Sequence, residues 1–324
     1  MSNAAPTGTA AGKAVGRRLG LMHGAMTLVV TLWAANMVAG KYALRGFGSV
    51  ALAQLRVLGA AVIYVIAFLS RSRRPSLRLT RREWIFYGVT ALSGVTLNQL
   101  FFIGGLARST VTHTGLIVAL GPVMVLALAW MMGLEAMTAL KLAGIVVSFA
   151  GVGVLTAVSE HDASRGSWIG DLILLAGTAV FSYYTILMKE AAGRFDELTL
   201  SLLTFGLGAV LMLPFAGTAV WEVRWRDIPA VAYASLIFMI VLGTVVPYLL
   251  FAHAMTGLSA SRVAAFNYLQ PVVATLLAVW LLSEKLTLGT LTGGAMILIG
   301  VYLTEREQGE KPLPGGKRDL KLWV

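Results

Sequence analysis

The sequence contains no cysteine and few charged residues. The absence of cysteine excludes a disulfide framework, cysteine-ligated zinc or iron–sulfur sites and a thiol nucleophile. Charged residues make up 13% of the 324 positions, whereas a soluble globular protein carries about 25%. A chain of this size with so little charge cannot cover a water-facing surface. The composition therefore argues against a soluble enzyme, a secreted disulfide-stapled domain and a disordered protein, and indicates a polytopic membrane protein.

Long apolar runs fill most of the chain. Hydrophobic residues account for 57% of the sequence, and the mean hydropathy is +0.79. A helix needs about 20 mostly apolar residues to cross the hydrocarbon core of a bilayer. Ten segments meet this requirement and predict an all-α integral membrane protein with ten transmembrane helices, at 19–41, 48–70, 84–105, 109–131, 138–158, 168–189, 197–218, 229–252, 259–282 and 287–304.

The basic residues predict the orientation of these segments. With the N-terminus inside, 18 of the 26 Lys and Arg residues fall on the inner side, seven fall on the outer side and Arg56 lies within a segment. Cytoplasmic loops concentrate Lys and Arg. We therefore expect a multi-pass protein of the bacterial plasma (inner) membrane with both termini cytoplasmic. Topology and contact with membrane lipid account for the net charge of +11, and no nucleic-acid partner is expected.

The sequence contains an internal repeat at an offset of 149 residues. Between 120–152 and 269–301, 11 of 33 positions are identical, where chance gives about three in such a composition. Each copy holds five predicted spans, so the second copy enters the membrane from the opposite side. The predicted organisation is two inverted five-helix repeats, 19–158 and 168–304, with cytoplasmic tails at 1–18 and 305–324. Inverted repeats are typical of secondary transporters with a midplane site between the halves.

Several motifs carry a family resemblance over about residues 19–304. They are LWAAN at 32–36, Leu55-Arg56, and a Pro-led apolar stretch, a Glu and a glycine-studded helix in each half. The two stretches read GPVMVLALAWMMGLEAMTALKLAGIVVSFAGVGVL and QPVVATLLAVWLLSEKLTLGTLTGGAMILIGVYL. On these residues the chain resembles the drug/metabolite transporter superfamily, in its EamA-type ten-span branch. The Gly-Glu-Arg-Leu-Thr turn usual in that family is replaced here by GLEAMT and SEKLT.

The resemblance implies a secondary transporter that exports a small organic metabolite, such as an amino acid or a related compound, by alternating access. An uptake permease, or a translocator of a lipid-linked or nucleotide-type metabolite, is the alternative. A membrane-embedded enzyme is a distant third class, because the spans contain no Ser/His, paired-Asp or HExxH constellation. We expect no enzymatic activity, cofactor or metal. Glycines on the fifth and tenth segments favour either internal packing or a homodimer surface.

Polar and aromatic residues within the segments are candidates for a central cavity. Polar groups at membrane depth are costly unless they face protein or water. The predicted cavity residues are Trp33, Asn36, Arg56, Asn98, Gln99, His113, Tyr183, Tyr184, Tyr248, Asn267, Tyr268 and Gln270. Such a ring of amides and aromatics suits a zwitterionic or aromatic small molecule. Hydrogen-bonded packing between helices is the alternative for each residue.

Two of these residues allow more specific alternatives. Arg56 either extends its side chain to the outer surface or faces the cavity and binds a substrate carboxylate. His113 either packs as a hydrogen-bonded residue or titrates near neutral pH during transport. Asp171, near the outer end of the sixth segment, is expected to cap its helix.

Two pairs of repeated residues are candidates for structural or gating roles. Pro122 and Pro271 lie within the fourth and ninth segments and predict kinks or breaks. Equivalent breaks in two halves point to a transport site, although a packing kink is equally consistent. Glu135 and Glu284 lie in short turns, where each carboxylate is expected to cap the helix that follows. A gating salt bridge is the alternative.

Overall fold

The computed structural model describes residues 8–73, 75–159, 167–191, 194–258, 263 and 266–306. The outer parts of the two predicted tails, 1–7 and 307–324, lie outside the described residues. The first half contains α1 (Gly8–Ala43), α2 (Ser49–Leu69), α3 (Arg81–Ala91), α4 (Asn98–Arg108), α5 (Val111–Val118), α6 (Gly121–Met131) and α7 (Ala139–Ser159). The second half contains α8 (Trp168–Ala191), α9 (Glu197–Ala216), α10 (Ala230–Ile240), α11 (Val246–Gly257), α12 (Leu269–Leu282) and α13 (Leu288–Arg306).

The described chain is helical, with many apolar stretches of membrane-spanning length. Eight stretches of helix are long and apolar enough to cross a membrane. Two shorter apolar stretches, Leu269–Leu282 and Leu288–Thr304, occupy the positions of the predicted ninth and tenth segments. The predicted ninth segment, 259–282, includes residues 259–262, 264 and 265, which lie outside the described residues. The structure is thus that of an all-α membrane protein.

Several of the long apolar stretches are interrupted. A π-helical segment, Leu92–Leu97, joins α3 to α4, and another, Val241–Val245, joins α10 to α11. Between α5 and α6 the helix breaks at Ala119 and Leu120, so Pro122 lies in the first turn of α6. Proline is tolerated there, because the first backbone N–H groups of a helix have no partner inside the helix. Pro271 occupies the first turn of α12, after a 3₁₀ turn at Phe266–Tyr268.

Helix boundaries recur at the offset of the sequence repeat. The bounds of α3, Arg81–Ala91, become those of α10, Ala230–Ile240, when 149 is added. Both π-helical segments begin at equivalent positions, Leu92 and Val241. A π-helical segment is rare and marks a local distortion of the helix. Its recurrence at one register means that the two halves repeat in irregular detail as well as in sequence.

α7 and α13 pack together through glycines that face each other's backbone. A Cβ added at Gly144 would lie 2.6 Å from the carbonyl oxygen of Gly300, and one added at Gly151 would lie 2.7 Å from that of Gly293. The order of these pairs makes the two helices antiparallel. Adding 149 to Gly144 and Gly151 gives Gly293 and Gly300, so each contact is the repeat equivalent of the other. These four glycines therefore provide packing within one chain.

The remaining helices surround the centre of the molecule with elements from both halves. α2 packs on α9, α4 packs on α8, and α1 packs on α10, α11 and α12. Buried apolar and aromatic side chains fill the contacts, among them Tyr64, Phe205 and Tyr248. The centre of the bundle is therefore lined by helices that are distant in sequence.

We expect Gly151→Ala to destabilise the protein by about 1–3 kcal/mol, because the new methyl group overlaps the backbone of α13. Gly153→Ala on the same helix is the matched control, since an added Cβ meets nothing within 4 Å there. The control should be neutral or slightly stabilising, because alanine favours helix over glycine. Thermal unfolding in detergent micelles measures both effects. Equal losses in the two variants would contradict the assignment of Gly151 to this contact.

Candidate binding cavity

A cavity lies where α1, α2, α4, α5, α6, α8, α11 and α12 meet. Its volume is about 80 Å³. Seven of the predicted residues line it: Trp33, Asn36, Arg56, Asn98, Gln99, Tyr248 and Gln270. The lining also includes residues that the sequence analysis did not single out, chiefly Phe102, Gly177, Thr178 and Phe181. Phe102 follows Asn98 by one helical turn and Phe181 precedes Tyr184 by almost one turn, so helical spacing from the predicted residues is the signal that could have found them.

Arg56 is buried within the bundle at 2% exposure and faces the cavity. Its Nε donates to Thr244 Oγ1 at 2.7 Å, and its Nη2 donates to the carbonyl oxygen of Gly243 at 2.9 Å. These acceptors belong to the second π-helical segment, so the distorted backbone positions the guanidinium. Nη1 is buried and has no hydrogen-bond partner among the described residues. The side chain does not extend to the surface.

Two amide oxygens at the cavity also lack partners. Asn36 Oδ1 and Gln99 Oε1 are buried without a hydrogen bond among the described residues. The neighbouring Asn98 donates through Nδ2 to the carbonyl oxygen of Gly177 at 3.3 Å, which joins α4 to α8. A buried polar atom without a partner costs about 1–3 kcal/mol. The three residues that carry these atoms without partners among the described residues, Asn36, Arg56 and Gln99, therefore all line the same cavity.

Aromatic rings form the apolar part of the lining. The ring centroid of Trp33 lies 5.9 Å from those of Phe181 and Tyr248, in edge-on arrangements. The guanidinium carbon of Arg56 lies 5.9 Å from the ring centroid of Phe102. Aromatic rings favour such edge-on packing, and a cation near a ring face is attracted to it. The cavity thus combines a cationic group, amide oxygens and an aromatic wall.

The two π-helical segments place glycines where helices cross near the cavity. A Cβ added at Gly243 would lie 2.2 Å from Asn36 Oδ1, so this side chain packs directly on the glycine. At the equivalent Gly94, an added Cβ would lie 2.0 Å from the ring of Tyr184. Asn36 and Tyr184 are 148 residues apart, the offset that also relates Lys41 to Lys189. Each half therefore places one side chain against the π-helical segment of the other half: Asn36 lies against Gly243, and Tyr184 lies against Gly94.

The remaining predicted residues lie outside this lining. Tyr184 is buried beneath the aromatic wall, with its ring 5.4 Å from that of Phe181. Tyr183 is half-buried on α8, and Tyr268 packs against the apolar cluster around Leu116. The side chain of Asn267 lies outside the described residues.

His113 lies at one end of the bundle, where its ring is buried against the carboxylate of Asp171. The distance from His113 Nδ1 to Asp171 Oδ2 is 3.1 Å, and the two side chains are 4% and 0% exposed. Asp171 also accepts a hydrogen bond from Ser109 Oγ at 2.5 Å. Asp171 lies in the first turn of α8, as expected for a cap, but its carboxylate binds groups from the first half of the chain.

Glu284 caps a helix of the opposite half instead of the helix that follows it. Its carboxylate accepts from the backbone N–H groups of Val111 and Thr112 at 2.7 and 3.0 Å, at the start of α5. The expected cap of α13 is supplied by Thr287, whose Oγ1 accepts from the backbone N–H of Thr290. Sequence proximity suggested the following helix, whereas the fold brings the N-terminus of α5 closer to the carboxylate.

Glu135 makes a different contact. Its carboxylate pairs with Lys141 Nζ at 3.4 Å and is 38% exposed. Thr138 Oγ1 accepts from the backbone N–H of Lys141 at the start of α7. The two repeated glutamates therefore make different contacts among the described residues. Glu284 joins the two halves, whereas Glu135 pairs with the nearby Lys141.

Two repeated lysines fasten the ends of equivalent helices. Lys41 Nζ donates to the carbonyl oxygen of Ser109 at 2.5 Å, just after α4. Lys189 Nζ donates to the carbonyl oxygens of Met255 and Leu258, at 3.1 and 3.2 Å, at the end of α11. Positive charges are favourable at helix C-termini, whose last carbonyl groups lack partners. The two contacts lie at opposite ends of the bundle and are repeat equivalents.

Ion pairs between the halves lie at the end of the bundle that contains Lys189. Arg71 Nη1 lies 2.6 Å from Asp196 Oδ1, and the guanidinium of Arg194 pairs with the carboxylate of Glu83. Burial alone would raise the pKa of Asp196. Hydrogen bonds from Thr199 and Arg71, together with the charge of Arg71, hold that pKa below its usual value. The carboxylate therefore stays ionised and joins the loop after α2 to the start of α9.

With this geometry established, comparison with known proteins identifies the family. The profile of the EamA-like transporter family matches residues 21–157 and again residues 168–306. The chain belongs to this family. The two matches cover most of the chain, so membership applies to both halves.

Individual relatives carry transporter names. An uncharacterized transporter of Archaeoglobus fulgidus is 28% identical over 289 residues, covering 88% of this chain and 98% of the relative. A probable terminal-alkyne amino-acid exporter of Streptantibioticus cattleyicolor is 26% identical, covering 87% of this chain and 92% of the relative. A crystal structure of another protein matches with a TM-score of 0.62 at 17% identity, over 88% of this chain and 97% of that chain. That match concerns the fold alone. The protein is a membrane transporter by family.

We expect Glu284→Ala to destabilise the protein by about 1–3 kcal/mol, because it leaves two N–H groups at the start of α5 without their acceptor. Glu135→Ala is the matched control at the equivalent turn. It removes one partly exposed ion pair, which contributes about 0–1 kcal/mol. Thermal unfolding in micelles compares the two variants. A loss in Glu135→Ala as large as that in Glu284→Ala would be inconsistent with the capping role.

Proposed function

We propose that this protein is a secondary transporter that exports a small zwitterionic metabolite, such as an amino acid, by alternating access. The observation that carries the proposal is a set of atoms, on residues that line the cavity, that have no hydrogen-bond partner in the described part of the chain. Arg56 Nη1 offers a charged donor, which suits a carboxylate. Asn36 Oδ1 and Gln99 Oε1 offer acceptors, which suit an ammonium group. An amino acid carries both groups, and the aromatic wall suits its side chain.

The size of the cavity favours a small solute. A space that holds one water needs about 10–15 Å³. The volume of about 80 Å³ therefore corresponds to the space of about six waters, which suits a small solute. A nucleotide-type or lipid-linked metabolite is much larger. The relative from Streptantibioticus cattleyicolor, named as an amino-acid exporter, supports the same class of substrate.

The proposed architecture is ten transmembrane helices in two inverted repeats, 19–158 and 168–304. Three observations support it: the recurrence of helix bounds at an offset of 149, the family profile matching twice, and the antiparallel contact of α7 with α13. Ser148 Oγ donates to the carbonyl oxygen of Ile297, its own repeat equivalent, at 3.4 Å. A residue that contacts its equivalent lies next to a two-fold axis. Between antiparallel spans, such an axis lies in the membrane plane.

The proposed location is the bacterial inner membrane with both termini in the cytoplasm, as the excess of basic residues on one side indicates. In this orientation Lys41, Ser109, Asp171 and Glu284 lie at the outer end of the bundle. Arg71, Glu83, Lys189 and Asp196 lie at the inner end. Alternating access then consists of opening one end while the contacts at the other end hold the two halves together.

The test is counterflow in proteoliposomes with a panel of amino acids, nucleosides, sugars and quaternary amines. We expect exchange of one or more amino acids. Arg56→Gln should weaken the affinity for an amino acid about 10- to 150-fold, the equivalent of losing one charge-assisted hydrogen bond. The carboxamide of the same amino acid should be affected much less, because it carries no carboxylate.

Arg108→Gln is the matched control, since its exposed guanidinium donates within its own helix to the carbonyl oxygen of Gly104. It should leave the affinity unchanged. Equal transport by Arg56→Gln and the parent protein at equal protein level would overturn the assigned role of Arg56. Failure of every solute in the panel to exchange would overturn the proposed function.

A further inference from the structure

The cavity lies close to the axis that relates the two halves of the chain. Trp33 and Phe181 are repeat equivalents at an offset of 148, and both line the cavity with ring centroids 5.9 Å apart. A residue that contacts its own equivalent lies next to a two-fold axis. Two further pairs of the lining are equivalents at the offset of 149, Gln99 with Tyr248 and Gly121 with Gln270. Opposite walls of the cavity therefore come from equivalent positions that carry different side chains.

The polar end of the cavity lies beside the second π-helical segment. Arg56 donates to the carbonyl oxygen of Gly243, and the amide of Asn36 packs directly on the same glycine. This segment packs on α1 and α2, which carry the two polar residues. The repeat equivalents of Asn36, Arg56 and Gln99 are Tyr184, Phe205 and Tyr248. The second half therefore has aromatic rings at the positions where the first half has its guanidinium and two of its amides.

α8 presents a different surface to the cavity. Four of its residues follow one another at three- and four-residue spacing and line the cavity from one face of the helix: Leu174, Gly177, Thr178 and Phe181. None of the four carries a charge. The hydroxyl of Thr178 donates to the carbonyl oxygen of Leu174 at 3.0 Å, and the carbonyl oxygen of Gly177 accepts from Asn98 at 3.3 Å. This face, here called the α8 face, therefore offers a ligand mainly apolar contacts.

The α8 face and the polar end belong to different groups of helices. α8 packs on α4, α5 and α6, whereas the second π-helical segment packs on α1 and α2. The cavity is lined from both groups. A solute that is held at Arg56 and fills the cavity therefore reaches the α8 face with the part of the molecule that is not held.

The ring of Phe181 bounds the α8 face and is packed on several sides. Its centroid lies 5.9 Å from that of Trp33, 5.4 Å from that of Tyr184 and 6.3 Å from that of Phe251. A side chain in such a close-packed cluster cannot move aside without displacing its neighbours. Phe181 therefore limits how far a ligand can extend along α8.

We propose that the α8 face binds the side chain of the transported amino acid and that Phe181 limits its length, so that the protein selects short, uncharged side chains. A charged side chain would lose hydration against Leu174 and Phe181 and gain no opposite charge on this face. A long side chain would overlap the ring of Phe181, because the cavity of about 80 Å³ holds only about six waters. This inference rests on the proposed transport function and names the class of amino acid.

The first test compares side chains in the parent protein. Counterflow in proteoliposomes is measured with alanine, 2-aminobutyrate, leucine, lysine and aspartate, which share the same carboxylate and ammonium groups. We expect alanine and 2-aminobutyrate to exchange with at least about tenfold higher affinity than the other three, since one methylene in an apolar pocket changes binding about 10- to 200-fold. Stabilisation of the protein by each solute during thermal unfolding in micelles reports binding without requiring transport.

The second test changes the residue that sets the length. Phe181→Leu removes part of the ring volume, so it should raise the ratio of leucine affinity to alanine affinity at least about tenfold while alanine exchange persists. Phe181→Met keeps more of the volume but is flexible, so the ratio should shift in the same direction by less. Tyr183→Leu is the matched control, because Tyr183 is a neighbouring half-buried aromatic residue of α8 outside the described lining. It should leave the ratio unchanged.

The outcomes separate this inference from the proposed function. An unchanged ratio in Phe181→Leu, with alanine exchange intact, would overturn the role of Phe181. Loss of alanine exchange in both Phe181 variants would assign the ring to folding and would also overturn it. If the parent exchanges lysine or aspartate as readily as alanine, the inferred class is wrong and the transport proposal stands. If no amino acid exchanges or stabilises the protein, the proposed function fails and this inference fails with it.

Discussion

The hydrocarbon core of a membrane offers no hydrogen-bond partner, and this constraint governs where the polar groups of the chain lie. Arg56 is stabilised at depth because Thr244 and Gly243 accept from its guanidinium. Asp171 is buried because Ser109 and His113 bind its carboxylate. Buried polar atoms that have no partner within the described ranges therefore mark candidate positions for a ligand. Three of them, on Asn36, Arg56 and Gln99, converge on one cavity between the halves.

Close contact between helices depends on glycine at a few positions. Gly144 and Gly151 bring α7 against α13, and Gly94 and Gly243 let side chains cross the π-helical segments. In lipid, association of helices relies on such packing, because apolar side chains gain little by leaving an equally apolar solvent. The π-helical segments distort the helices where these crossings occur. One of them also supplies the acceptors that hold Arg56, so packing and the binding cavity share the same backbone irregularity.

The two ends of the bundle hold the halves together by different means. At the Ser109 end the contact of His113 with Asp171 is buried, whereas at the Asp196 end the contacts include partly exposed pairs such as Arg71 with Asp196. Lys41 and Lys189 make equivalent contacts at the two ends. The repeat therefore conserves the lysine contacts, whereas the ion pairs differ between the two ends.

The sequence by itself determined the membrane-embedded helical class, the family and the register of the repeat. Apolar runs and the placement of charge depend only on local composition, and the motifs around Pro122 and Pro271 are contiguous. Seven of the predicted residues reach the cavity because polar residues at membrane depth must face inward. His113 illustrates the limit of this reasoning, since it also faces inward but meets Asp171 at the end of the bundle. Glu284 likewise binds α5 instead of its own helix. Only the tertiary structure decided these partners, because hydrogen bonds between helices depend on which surfaces meet, and local sequence does not specify contacts across more than 50 residues.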